Sequence, residues 1–128
     1  MNILLDTVTF YRLTMAESRL SKKAIVLCKD PKNTLYLSAI SATEMSIKHA
    51  SGKFCLPNLP SIFIPEERLR HGILPLPLDE ESATLLATLP LQHKDPFDRL
   101  LICQALAHDL TILTPDTHIR SYKGKTVW

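Results

Sequence analysis

The sequence predicts an α/β protein, a three-layer α/β/α sandwich around a mainly parallel central sheet. Short apolar runs suited to buried strands recur at NILL (2–5), around Leu35 to Leu37 and at TILT (111–114). Stretches with helical spacing and helix-capping residues fall between them. Strands that alternate with helices build a parallel sheet covered on both faces.

In chain order, NILL reads as a buried strand that ends at Asp6. A mixed region follows over roughly 9–29, with helical spacing in Ala24, Leu27 and Cys28. The DPKN turn at 30–33 introduces the strand Leu35 to Leu37. Ser41 and Glu44 match an S-x-x-E capping box, which places a helix start there and its end at Gly52. A short helix is expected around Pro65 to His71, stopped by Gly72. ILPLP at 73–77 reads as a short strand whose prolines suit a sheet edge. Asp79 caps a helix in which Ala83, Leu86 and Ala87 share a face. Asp95-Pro96 is a helix start of N-cap followed by proline, and that helix runs through LLICQALA to about His108. TILT and the closing KTVW supply the remaining strands.

With 128 residues and no long linker or internal repeat, the chain is expected to form a single domain over 1–128. Hydrophobic content of 45% and charged content of 22% fit an ordinary soluble globule. No apolar stretch approaches the roughly 20 residues needed to span a bilayer. NILLD follows the first Met without a basic leader, so secretion is not expected and a cytoplasmic location is. Cys28, Cys55 and Cys103 show no C-x-x-C spacing, which argues against a disulfide framework or a zinc knuckle. The five histidines, His49, His71, His93, His108 and His118, show no metal-binding spacing and read as surface or supporting residues.

Chemistry is signalled by four stretches that each bring an acid beside an apolar run. These are LLDT with Asp6, SAISATE with Glu44, KDPFDR with Asp98 and LTPD with Asp116. A parallel sheet can gather such runs at one edge, where ligands bind. Four carboxylates there would repel one another, and a divalent cation relieves the repulsion. Each acid also has a plainer reading. Asp6 and Asp116 suit helix caps or turns, and the capping box accounts for Glu44. Asp98 suits a helix N-terminus, yet it shares a row with Ile102 and Ala105, and a carboxylate on a buried row needs a partner. Setting the four acids aside leaves nine acidic against fifteen basic side chains, enough to attract a polyanion. Lys48, Lys53, Lys94, Arg99 and Arg120 are candidates for backbone contacts, or solvated surface charges. The expectation is a magnesium- or manganese-dependent enzyme acting on phosphate esters.

The same stretches, with SAISATEMSIKHASGKFCLP at 38–57, GILPLPL at 72–78, HKDPFDRLLICQALAHDLTILTPD at 93–116 and the closing YKGKTVW, resemble the PIN-domain ribonucleases. The likeness is to the VapC-like toxins of bacterial toxin–antitoxin pairs, and HKDPFDRLLICQA is its most specific part. It implies a PIN-like fold and a four-carboxylate Mg²⁺ or Mn²⁺ site at Asp6, Glu44, Asp98 and Asp116 that hydrolyses RNA phosphodiesters. Thr114 matches the family's hydroxyl near the last acid, and Arg99 the arginine beside the third. The partners implied are an RNA substrate, a cognate antitoxin and a second copy of the chain. Leu13, Met15 and Leu20, with Ile62, Phe63 and Ile64, are candidates for the protein interfaces or for the core.

Several positions depart from the family pattern. TVTFYR follows Asp6 where relatives often carry His and Trp, Thr43 stands at a common Trp position, and His108-Asp109 replaces a frequent Glu-Gly. None of these removes an acid. The alternative from another class is a catalytically weak PIN-fold binding module acting as a complex partner. A haloacid-dehalogenase phosphatase would need a second Asp two residues after Asp6, where the chain has Val8. A receiver domain would need an acidic pair at the end of the first strand, where Asp6 stands alone.

Overall fold

A computed structural model describes residues 1–128. Five strands form one parallel sheet: β1 (Asn2–Leu5), β2 (Thr34–Ser38), β3 (Ile73–Leu76), β4 (Thr111–Leu113) and β5 (Lys125–Val127). Their order across the sheet is β3-β2-β1-β4-β5. Leu5 is therefore in register with Leu37 on one side and Leu113 on the other. The chain builds outward from β1 to β3, then returns to the other side of β1 for β4. That reversal opens a crevice at the carboxyl ends of β1 and β4, the position where sheets of this kind bind ligands.

The helices are α1 (Thr7–Met15), α2 (Lys22–Lys29), α3 (Ala39–Ala50), α4 (Pro60–Arg70), α5 (Glu80–Thr84), α6 (Pro96–His108) and α7 (Thr117–Arg120). They divide between the two faces of the sheet. Ile3 and Leu5 of β1 pack with Phe10, Leu13, Leu20, Ala24, Met45, Phe63 and Ile64 on one face. Leu4 packs with Leu101, Ile102, Ala105, Ile119 and Tyr122 on the other. All three β1 side chains are fully buried, as a central parallel strand requires. The three-layer expectation holds. No helix is long and apolar enough to cross a membrane.

Several local expectations change. α3 starts two residues before Ser41, because Ser38 is its cap, accepting from the Ile40 amide at 3.0 Å. Ser41 and Glu44 lie inside the helix and are not a capping box; both are buried. Ser38 also donates to Gln104 Oε1 of α6 at 2.5 Å, and Gln104 Nε2 donates to the Pro77 carbonyl at 3.1 Å, so the lone polar residue in the buried part of α6 is satisfied. α4 begins at Pro60 rather than near Pro65. The amide missing at Pro65 leaves an acceptor on Ser61, which is exposed and open to solvent. The expected helix after Asp79 is short, and Leu85–Ala87 tightens into a 3₁₀ turn. The mixed region resolves into α1 and α2, joined by a 3₁₀ turn at Glu17–Arg19.

The strands at 73–76 and 125–127 form the two edges, so the proline-bearing strand lies where the sequence placed it. Of the six candidate interface residues, Leu13, Leu20, Phe63 and Ile64 are core; Met15 and Ile62 are exposed.

Candidate metal centre at the carboxyl edge of the sheet

The crevice is furnished by residues that follow β1 and β4, by one from the middle of α3 and by one from the first turn of α6. Asp6 follows β1 and is buried. Its Oδ1 accepts the Thr9 amide at 2.8 Å, so it caps α1, and its Oδ2 accepts the Thr114 hydroxyl at 2.5 Å. Thr114 follows β4, is fully buried, and also accepts the Asp116 amide at 3.0 Å. One hydroxyl thus spans the crevice and ties the first acid to the last. Asp116 caps the short α7, accepting the His118 amide at 2.7 Å.

Glu44 reaches the same edge from α3. Its Oε1 accepts from the Thr7 hydroxyl at 2.7 Å, and the same hydroxyl lies 3.0 Å from Ser41 Oγ. Its Oε2 pairs with Lys48 Nζ at 2.5 Å, one turn along the helix. Asp98 enters from the first turn of α6. Asp95 caps that helix, accepting the amides of Phe97 at 2.9 Å and Asp98 at 3.2 Å, and so frees the Asp98 carboxylate to face the crevice. Asp98 Oδ2 instead meets His93 Nε2 at 2.9 Å.

The charges feel one another. Burial raises the Asp6 carboxyl above its ordinary value; hydrogen bonds from Thr114 and Thr9 oppose this, and the charge of Asp116 adds to it. Asp98 is raised to about 6, chiefly by burial and further by the charges of Asp95, Asp116 and Glu44, against the His93 hydrogen bond. Asp116 thus acts on both Asp6 and Asp98, and Glu44 on Asp98. These couplings and the Thr114 bridge bring the four acids near one another at the carboxyl edge of the sheet, and the group whose ligand atoms lie within 4.8 Å of one another is Asp98 and Asp116 with His93. Unneutralised carboxylates held this close keep a proton or take a cation. A donor set of carboxylate oxygens fits a hard divalent ion such as Mg²⁺ or Mn²⁺.

Arg99 follows Asp98 in α6, and its side chain serves the loop before that helix. Its guanidinium turns away and donates to the carbonyls of Pro90 at 2.9 Å and Leu89 at 3.2 Å, and to Tyr122 Oη at 3.3 Å. It fastens the segment before α6. Lys48 is engaged with Glu44, whereas Lys53, Lys94 and Arg120 are exposed.

Two residues were missed by sequence reasoning. Thr7 carries the hydroxyl that holds Glu44, and its position directly after Asp6 was the available signal. His93 was read as a supporting residue, yet a ring nitrogen of His93 and carboxylate oxygens of Asp98 and Asp116 lie within 4.8 Å of one another. Its ring stacks on that of His118, with centroids 4.8 Å apart and planes inclined by 6°.

The fold thus sets an acidic cluster at the carboxyl edge of a parallel α/β sheet, the position where sheets of this class bind ligands. The sequence matches the PIN domain family over residues 3–125, and the chain belongs to that family. No curated protein matches it. Among solved structures it is similar to VapBC2 from Rickettsia felis, solved bound to a DNA fragment from their promoter, with TM-score 0.72 and 15% identity over 99% of this chain and 98% of that one. It is similar to FitAcB from Neisseria gonorrhoeae, with TM-score 0.63 and 23% identity over 98% and 96%. It is also similar to a toxin–antitoxin complex from Klebsiella pneumoniae, with TM-score 0.61 and 16% identity over 98% and 96%. At these identities the likeness concerns the fold.

Proposed function

We propose that the chain is a metal-dependent endoribonuclease, the toxin of a toxin–antitoxin pair, hydrolysing RNA phosphodiesters at its four-carboxylate crevice. What supports this reading is the Thr114 hydroxyl that ties Asp6 to the Asp116 amide, together with the charges of Asp116 and Glu44 acting on Asp98 at the same sheet edge. Membership of the PIN domain family supports a nuclease, and the toxin–antitoxin and VapBC structures of the same fold support the biological setting.

Asp6, Glu44, Asp98 and Asp116 would hold Mg²⁺ or Mn²⁺, directly or through its waters. The ion, when bound, supplies an activated water and neutralises charge on the phosphoryl oxygens. The protein's part is positioning. Thr114 fixes the Asp6 carboxylate relative to Asp116, Thr7 fixes Glu44, and Asp95 sets the first turn that aims Asp98 inward. Exposed Lys53, Lys94 and Arg120 would meet the RNA backbone, and the rest of the basic surface would draw the polyanion in.

The cognate antitoxin would bind over the crevice, and a second copy of the chain would complete a homodimer. The test is incubation of the purified protein, free of antitoxin, with total RNA and Mg²⁺ or Mn²⁺, beside EDTA and Asp98→Asn controls. Discrete fragments that need the metal and vanish in the variant are expected. Equal fragments with EDTA, or with Asp98→Asn, would overturn the reading. Binding of a partner without turnover, unaffected by acid substitution, would favour a binding module in its place.

A further inference from the structure

The carboxylates do not have the crevice to themselves. His93 lies in the loop before α6, and its Nε2 is 2.9 Å from Asp98 Oδ2. Ligand atoms in adjacent positions around a six-coordinate ion, each about 2.1 Å from it, are about 3.0 Å apart. The His93–Asp98 contact has the span of one such edge. Asp116 completes a triangle in which all three ligand atoms lie within 4.8 Å of one another.

The ring is held in place independently of Asp98. The His93 amide donates to Tyr122 Oη at 2.9 Å, and that hydroxyl also receives the Gln92 amide at 3.2 Å. Arg99 donates to the Pro90 and Leu89 carbonyls of the same segment. The nearly parallel His118 ring covers one face of the imidazole and joins it to α7, the helix that Asp116 caps. Three elements therefore fix a ring nitrogen beside two acids. Glu44, by contrast, already has a partner on each oxygen, Thr7 on one and Lys48 on the other.

We propose that His93 is a nitrogen ligand of the metal alongside Asp98 and Asp116, giving this crevice a mixed nitrogen–oxygen donor set that favours Mn²⁺ over Mg²⁺. This deepens the metal-site reading above and rests on it. Imidazole suits transition metals, whereas Mg²⁺ prefers oxygen donors and retained waters. Loss of the ring should therefore weaken Mn²⁺ more than Mg²⁺. His93→Gln is the informative substitution, because its amide can still donate to Asp98 while the ring nitrogen is gone.

The test is pulsed electron paramagnetic resonance of the full chain loaded with Mn²⁺ alone, with binding titrations of Mn²⁺ and Mg²⁺ in parallel. The expected result is a directly coordinated nitrogen in the wild type, kept in His118→Gln and absent in His93→Gln. Mn²⁺ binding should weaken about tenfold or more in His93→Gln, and Mg²⁺ binding by less than about threefold. Bound Mn²⁺ without nitrogen coupling in the wild type would overturn the proposal while leaving the carboxylate site standing. Coupling that survives in His93→Gln would also overturn it. No Mn²⁺ binding to any form would overturn both the proposal and the metal site.

Discussion

Replacing Asp98 by Asn should make the metal-free protein more stable, although it removes a residue of the proposed site. Asp98 is raised to about 6 from an ordinary 3.8, so the folded state holds its proton more tightly than the unfolded chain does. For a group raised in this way, stability is highest below 3.8 and is lost as pH rises through 6. The full difference corresponds to about 3 kcal/mol, and solvent screening at this half-buried position reduces it to about 1–2 kcal/mol. Asn keeps the shape and can still accept from His93, but it brings no charge to Asp95, Asp116 and Glu44. At pH 7.5 in EDTA, the variant should melt about 3–8 °C above the wild type. By pH 4.5 the gap should narrow to about a third of that, because folded wild-type Asp98 is then protonated. The assay is denaturant and thermal unfolding at both pH values. A variant less stable than wild type at pH 7.5, or a gap that does not change with pH, would refute the electrostatic reasoning. Saturating Mn²⁺ should reverse the ranking, since an ion at 100 times its Kd adds about 2.7 kcal/mol to the wild type.

Further expectations concern the framework. Thr114→Val strands the Asp116 amide and one Asp6 oxygen in a buried place, and urea unfolding should record a loss of about 1–3 kcal/mol. Arg99→Ala should release the segment before α6, seen as faster amide hydrogen exchange over residues 89–95 and unchanged exchange in β1. Asp109 closes α6 with φ 53, a left-handed conformation that glycine adopts without penalty. Asp109→Gly, restoring the glycine that relatives often carry, should therefore gain about 0.5–1 kcal/mol in thermal unfolding, less whatever the exposed Lys125 pair contributes.

The layered architecture was legible because buried parallel strands leave plain apolar runs, and caps such as Asp79 and Asp95 mark where helices start. The candidate site could be proposed from the sequence for a related reason. An acid directly after a strand, as with Asp6, or on a buried helical row, as with Asp98, has few places to point. Glu44 shows where such reasoning fails. S-x-x-E fits a capping box, but Ser38 lies at the end of β2, where the chain must turn into the helix, and so takes the cap first. The contact of His93 with Asp98 had no sequence signal, because it runs around a helix start, a path with no fixed spacing. The partners of Arg99 were not legible, because the carbonyls of the 89–90 segment that take its guanidinium are set by tertiary packing. The same packing decides which apolar residues are covered: Leu13 and Phe63 are core, while Met15 and Ile62, on the same helices, are not.

The most direct measurement is cleavage of one RNA substrate by wild type and by Asp6→Asn, Glu44→Gln, Asp98→Asn and Asp116→Asn, each checked for folding and assayed with Mn²⁺ and with EDTA. A four-carboxylate nuclease should cleave only as wild type with metal, each variant losing about a hundredfold or more. Cleavage that persists in EDTA, or in folded variants lacking these acids, would contradict it.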